Sequence, residues 1–279
     1  MQQNQDHSVH ANHLLSLSKQ PVSRLGFASQ YLKDLTCVQA AFTAGINFYF
    51  SYNLSSDPLV DGLMPLLTTQ RNSIFIATGS ESRHPETLQQ YLDQTRRSLN
   101  TSVIDAFFIE YFSPSDSAEE IQAVLAQLRG WKTTGSIRCV GASTHNLEVA
   151  LQLIQQGQID VLMLRYNMAH RKVEDQVLPM AQAVGLPVIA FTCTRWGTLL
   201  KGHPQWNQSP PTATDCYRFV LHHPAIHTTL TAPATLAQLQ ENLTALTASA
   251  LTIEEVYHWQ TYGNLIYGTG QDAFETQWI

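Results

Sequence analysis

Charge is what this sequence has least of. Only 14% of its 279 residues are Asp, Glu, Lys or Arg, against roughly 25% in an average soluble protein, and the formal net charge is -6. No run of Lys and Arg interrupts that acidic balance, which argues against nucleic acid or an anionic membrane surface as a partner. Cysteine is also sparse. Cys37, Cys139, Cys193 and Cys216 lie far apart and form no CxxC or Cys/His ligand pattern, so neither a disulfide framework nor a structural zinc is expected. No apolar run approaches the ~20 residues of a membrane span, and the opening MQQNQDHSVHANH lacks the charged and apolar regions of a signal peptide. These absences predict a soluble, cytoplasmic protein.

What is present is an alternation. Residues 1–12 are nearly all polar and read as a disordered tail, in which His7, His10 and His13 would align for a metal only if the tail were helical. Residues 13–279 read as one domain, opening with a short hairpin. Eight short apolar runs predict strands at Leu25 to Ala28, Ile46 to Phe50, Ser73 to Thr78, Ile104 to Ile109, Ile137 to Ala142, Val161 to Tyr166, Pro187 to Phe191 and His227 to Leu230. Between them, helical periodicity covers Tyr31 to Ala44, Asp57 to Thr69, Pro85 to Leu99, Ala118 to Thr133, Leu147 to Gln156, Lys172 to Val184, Thr214 to His222 and Leu236 to Leu246. Ser117 with Glu120 has capping-box spacing, with Ser115 as the alternative cap; Thr252 with Glu255 repeats the pattern before one extra C-terminal helix. Nearly continuous apolar strands, each followed by a helix, imply a parallel sheet covered on both faces. Eight such units close most naturally as a (β/α)8 TIM barrel, whereas an open doubly wound sheet would want a Gly-rich loop after its first strand, and none is there.

Function in such a barrel sits at the C-terminal strand ends, and there the segments VSRLGFAS, AAFTAGINFYFS, RNSIFIATGS, SVIDAFFIEYFSP, GSIRCVGASTHN, IDVLMLRYNMAHR and GLPVIAFTCTRWGTLL, followed by LQENLTAL and LTIEEV, resemble the aldo-keto reductases in order and spacing. The resemblance runs from about residue 21 to 256. It implies NADP(H) lying across the barrel mouth and reduction of a carbonyl, with a Tyr protonating the alkoxide, a Lys and an Asp tuning that Tyr, and a His orienting the substrate.

Residue by residue, the resemblance breaks at the chemistry. The family's Asp position is Phe50, its Tyr position Ser55, its Lys position Gly79 and its His position Glu110. Tyr52 is the nearby phenol, either reaching the same space or capping the mouth. Among the groups the family uses for nicotinamide, Ser143 is kept, Thr144 replaces Asn, Met163 replaces Gln and Phe191 takes the stacking position. Glu241 and Asn242 remain at the adenosine end, while the basic positions before them are Ala232 and Gln238. Losing both members of a buried Asp and Lys pair can be nearly neutral, whereas losing one strands a charge.

The strand ends also collect Ser80, Tyr111, His145, Arg165, Asn167, Cys193 and Arg195. Glu110 in an aromatic pocket would hold its proton and could donate it, as in the family branch that carries Glu there. Arg165 either pairs with Glu110 or clamps a substrate anion. Cys193 is either a nucleophile served by His145 or a small buried hydrophobe. The expectation is a reductase-like barrel without the standard site, binding a small molecule or a protein partner, or running redox-neutral chemistry with Glu110 as acid or base and Arg165 as clamp. The alternative is a reductase using NADP or NAD with Tyr52 or Glu110 as an unusual proton donor.

Overall fold

In the computed structural model, which describes residues 21–54 and 57–270, the eight apolar runs form eight parallel strands closed into a barrel in sequence order. They are β1 (Leu25–Ala28), β2 (Phe48–Ser51), β3 (Phe75–Ser80), β4 (Ile104–Phe112), β5 (Ile137–Thr144), β6 (Val161–Arg165), β7 (Val188–Phe191) and β8 (Ile226–Thr231). β8 pairs back onto β1 through Leu25 with Thr229, so the sheet has no free edge. The helices are α1 (Thr36–Thr43), α2 (Leu59–Gln70), α3 (Pro85–Ser98), α4 (Ala118–Thr133), α5 (Leu147–Gln156), α6 (Val177–Ala183), α7 (Ala213–His222), α8 (Leu236–Leu243) and α9 (Ile253–Tyr267).

Ser117 and Thr252 do cap α4 and α9, each in a reciprocal capping box with the Glu three residues on. Several expected helices are shorter than their periodicity; the one expected from Leu236 to Leu246 ends at Leu243 and finishes as a 3-10 turn, Thr244–Leu246. The first begins at Thr36 rather than Tyr31, where Asp34 accepts the Thr36 N–H and local Asp chemistry overrides the apolar pattern. The stretch from Lys172 to Val184 divides into a 3-10 turn, Lys172–Glu174, and α6. The polar tail, the expected hairpin, the three tail histidines and Ser55 lie outside the described residues.

Side chains alternate along each strand, which separates two cores. Tyr49, Phe107, Val140 and Leu162 face outward and pack with helix residues such as Leu63, Leu92, Leu128 and Leu153. Phe48, Phe50, Ala77, Ala106, Phe108, Cys139, Met163, Ile189 and Phe191 fill the barrel interior. Parity then aims the next inward residue of each strand at the upper interior: Gly79 on β3, Glu110 on β4, Ser143 on β5 and Arg165 on β6. The register of β4 against β5 shifts between Ile109 and Phe112, and this bulge turns Tyr111 toward the mouth as well.

Candidate functional site at the barrel mouth

The C-terminal strand ends enclose a cavity of about 870 Å³. Of the residues expected at the site, Phe50, Tyr52, Phe191, Glu241 and Asn242 line it, together with Tyr111, His145 and Cys193. Gly79, Glu110, Ser143, Thr144, Met163 and Arg165 do not border it; they sit in the barrel wall and interior. Lys33, Asp57, Glu81 and Tyr217 also line it, and sequence reasoning passed over all four. Glu81 carried a usable signal, since it follows the end of β3 directly. Asp57 did not, because its role emerges only from the fold: its carboxylate accepts the hydroxyls of Ser29 and Ser51 and the N–H of Leu59.

Phe50 and Gly79, the positions that the sequence resemblance assigns to a charged pair, carry no charge. The Phe50 ring is buried and meets Tyr52 and Phe108 edge-on at centroid distances of 4.8 and 5.9 Å. Gly79 is open only on paper: a Cβ there would run into the Glu110 carboxyl oxygen Oε1 and sit 2.7 Å from the Phe108 carbonyl. The Glu110 side chain thus occupies the space over position 79. It is 2% exposed, and Oε1 has no hydrogen-bond partner. Burial, reinforced by nearby Glu81 and only partly offset by Arg83, pushes its carboxyl well above the ordinary range and so favours the protonated form.

The expected Arg165 and Glu110 ion pair is not formed among the described residues. The strands explain this: β4 and β6 are separated by β5, and the Arg165 charge falls instead on His145 and His170. Burial, with Arg165 adding to it, holds the His145 imidazole down at about 4.

An arc of rings follows the cavity wall. Tyr52 and Tyr111 are nearly parallel at 6.2 Å, Tyr111 stacks with His145 at 5.3 Å, and His145 meets the edge of Phe191 at 5.3 Å. Tyr111 holds its place in a left-handed backbone conformation, φ 53°, which a bulky side chain rarely adopts. Two bonds lock it there: its N–H donates to Ser143 Oγ at 2.9 Å, and its carbonyl accepts Arg83 Nη2 at 3.0 Å. Thr192, Arg195 and Trp196 after β7 are left-handed too, so strained backbone gathers on opposite sides of the mouth. Burial, then the neighbouring Tyr111, raises the Tyr52 phenol above its ordinary value.

The remaining candidates are committed to the scaffold. Thr144 Oγ1 donates to the Phe112 carbonyl at 2.6 Å, and Met163 is part of the inner core. Asn242 donates its amide to Thr231 Oγ1 at 2.7 Å, as does the Tyr217 hydroxyl at 2.9 Å. The Cys193 thiol lies 2.5 Å from Thr229 Oγ1, and burial pushes it up to about 12, the state of a packing group rather than a nucleophile. Arg195 reaches away from the cavity to the Ile266 carbonyl of α9 at 2.8 Å. No group of three or more metal-ligating side chains occurs among the described residues, and none of the described helices is long and apolar enough to cross a membrane.

Known proteins resemble this architecture. An NADH-specific methylglyoxal reductase of Escherichia coli (strain K12) is 22% identical over 134 residues, 47% of this chain and 41% of that protein; the match thus spans under half of the relative's length. Among solved structures, the holo form of an aldo-keto reductase from Bacillus halodurans superposes with a TM-score of 0.74 at 21% identity, over 88% of this chain and 93% of that one. An aldo-keto reductase from Klebsiella pneumoniae in complex with NADPH gives 0.73 at 16% identity, over 88% and 94%. At such identities the likeness is one of fold. The profile of the Aldo/keto reductase family matches residues 27–215, more than half of the sequence, and on that match and its closed eight-stranded barrel the chain belongs to the aldo/keto reductase family.

Proposed function

We propose that this chain is a small-molecule-binding member of its family that lacks the standard NADP(H)-dependent carbonyl-reductase relay. The observation that carries the reading is the Glu110 side chain lying over Gly79. A reductase needs a cation beside its phenol to favour phenolate and speed proton transfer. Here the space over position 79 is filled by a carboxyl side chain that holds its proton more tightly than usual, and the Tyr52 phenol is made less acidic by its surroundings. Absence of a tuned general acid typically lowers such a rate by about 10²–10⁴. Glu110 enters this reading as a packing group, because it does not border the cavity.

The residues present do not fit a 2′-phosphorylated dinucleotide. Thr144 is bonded inward, Ser143 supports the Tyr111 backbone, and Met163 offers no amide. Lys33 is the one lining Lys or Arg among the described residues, against Asp57, Glu81 and Glu241. A phosphate dianion there would lose charge-assisted hydrogen bonds that each contribute about 1.5–3 kcal/mol.

A second reading, a nicotinamide-dependent oxidoreductase with Tyr52 as its proton donor, is favoured by the name of the Escherichia coli relative and by Tyr52 standing at the cavity wall. Titration with NADPH and NADH, followed by nucleotide fluorescence, separates the two. The expected result is no saturation up to about millimolar nucleotide; micromolar binding of either cofactor would establish the second reading instead.

A further inference from the structure

We propose, resting on the reading of the mouth as a ligand site without a dinucleotide, that its ligand is a small organic cation: an ammonium group carried on an apolar or aromatic body.

Two independent features of the cavity lead there. The first is the ring arc. Tyr52, Tyr111, His145 and Phe191 come from the ends of four different strands, yet each ring lies within 6.2 Å of the next, and Phe50 closes the row against Tyr52. Such a wall receives flat or compact apolar groups, and the negative faces of its rings attract a cation. Burial holds His145 neutral at pH 7, so the arc brings no positive charge of its own.

The second feature is the sign of the charge. Three carboxylates, on Asp57, Glu81 and Glu241, border the cavity, against the exposed amine of Lys33. The buried guanidinium groups of the barrel top, Arg165 and Arg195, do not border it. A dissolved anion would enter against this field, whereas a cation is drawn in and its charge met at the rim. The entrance itself is apolar. Tyr31, Trp196 and Leu200 are 48%, 49% and 37% exposed and all border the opening, which suits a ligand whose apolar body contacts both the opening and the ring arc.

Calorimetric titration of the full chain with benzyltrimethylammonium, benzyl alcohol and phenylacetate tests the ligand class, since these probes share a benzyl body and differ in charge. The cation should bind at least about tenfold more tightly than either of the others, and only its affinity should fall when ionic strength is raised. Glu81→Gln, at an exposed position with no part in the core, should weaken the cation by about tenfold and leave benzyl alcohol unchanged. Equal affinities across the three probes, tighter phenylacetate binding, or no heat from the cation at millimolar concentration would overturn the proposal. The same titration repeated with NADPH present keeps the two claims apart. Displacement of the cation by nucleotide would remove the dinucleotide-free reading while the charge ranking still stood; a flat ranking without nucleotide binding would remove the ligand class alone.

Discussion

Gly79 and Glu110 depend on each other. Glycine is needed at 79 because the Glu110 carboxyl and the Phe108 carbonyl leave no room for a Cβ, and Glu110 can fold inward because position 79 has no side chain. Gly79→Ala should therefore cost about 1–3 kcal/mol by overpacking, read as a shift in the urea midpoint. Combining it with Glu110→Ala should recover part of that loss, leaving a double-mutant coupling that independent sites would not show. The charge state of Glu110 gives a second prediction. An unfolded carboxyl ionises near 4.3, and the folded one ionises higher. Between those values the folded state holds a proton that the unfolded state has released, so this group lowers stability as pH rises. Glu110→Gln removes the effect. Its melting temperature relative to the parent should climb as pH rises above about 4.3; a difference constant with pH would mean that the folded protein does not hold the Glu110 proton more tightly than the unfolded chain.

At the scale of elements, the sequence was most legible where one signal governed. β1, α4 and α5 have the limits expected from apolar runs and caps alone, and the eightfold strand and helix rhythm was enough for the barrel. What was not legible came from relations between elements. The bulge in β4 that aims Tyr111 at the mouth has no residue signature, because it depends on the register of β5. Asp57 gains its two serine partners only when β1 and β2 are side by side. Gly79 and Glu110 could be placed at strand ends from sequence, but the contact between them could not.

α9 is the element that eight repeats do not need, and it acts as a clamp on the mouth loops. Arg171 donates to the Gln260 carbonyl and, at 2.8 Å, to Asn264 Oδ1; Arg195 reaches Ile266, and the Tyr262 hydroxyl donates to the Leu199 carbonyl at 2.6 Å. Between these bonds Gly263 lies so close to the Met168 carbonyl that no Cβ fits. The obstacle is backbone, so it cannot yield as a flexible side chain would. Gly263→Ala should lift α9 from the loop. Amide exchange should then accelerate across Ile253–Tyr267 while the barrel strands keep their protection; unchanged exchange in α9 would show that the helix is not held by this contact.

For the whole molecule, a sparsely charged chain concentrates its pH dependence in the few titratable groups it buries. His145 and His170 are held neutral, at about 4 and about 3, chiefly by burial, with Arg165 pushing both the same way and Arg195 and Lys172 adding to it at His170. His170 Nδ1 faces Asn167 Oδ1 at 3.2 Å, while its Nε2 is buried with no partner. An unfolded histidine takes up its proton near 6.5. Below that pH the unfolded state is favoured, so each histidine removes up to about 1.4 kcal/mol per pH unit of acidification until the folded ring itself titrates. Glu110 acts in the opposite direction, from about 4.3 upward. Where the windows overlap, the histidines and Glu110 pull stability in opposite directions. His170→Gln keeps a polar group against Asn167 but cannot be protonated, so its advantage over the parent should appear below about pH 6.5 and grow toward pH 4.5. A constant offset across that range would mean that His170 is already charged in the folded protein.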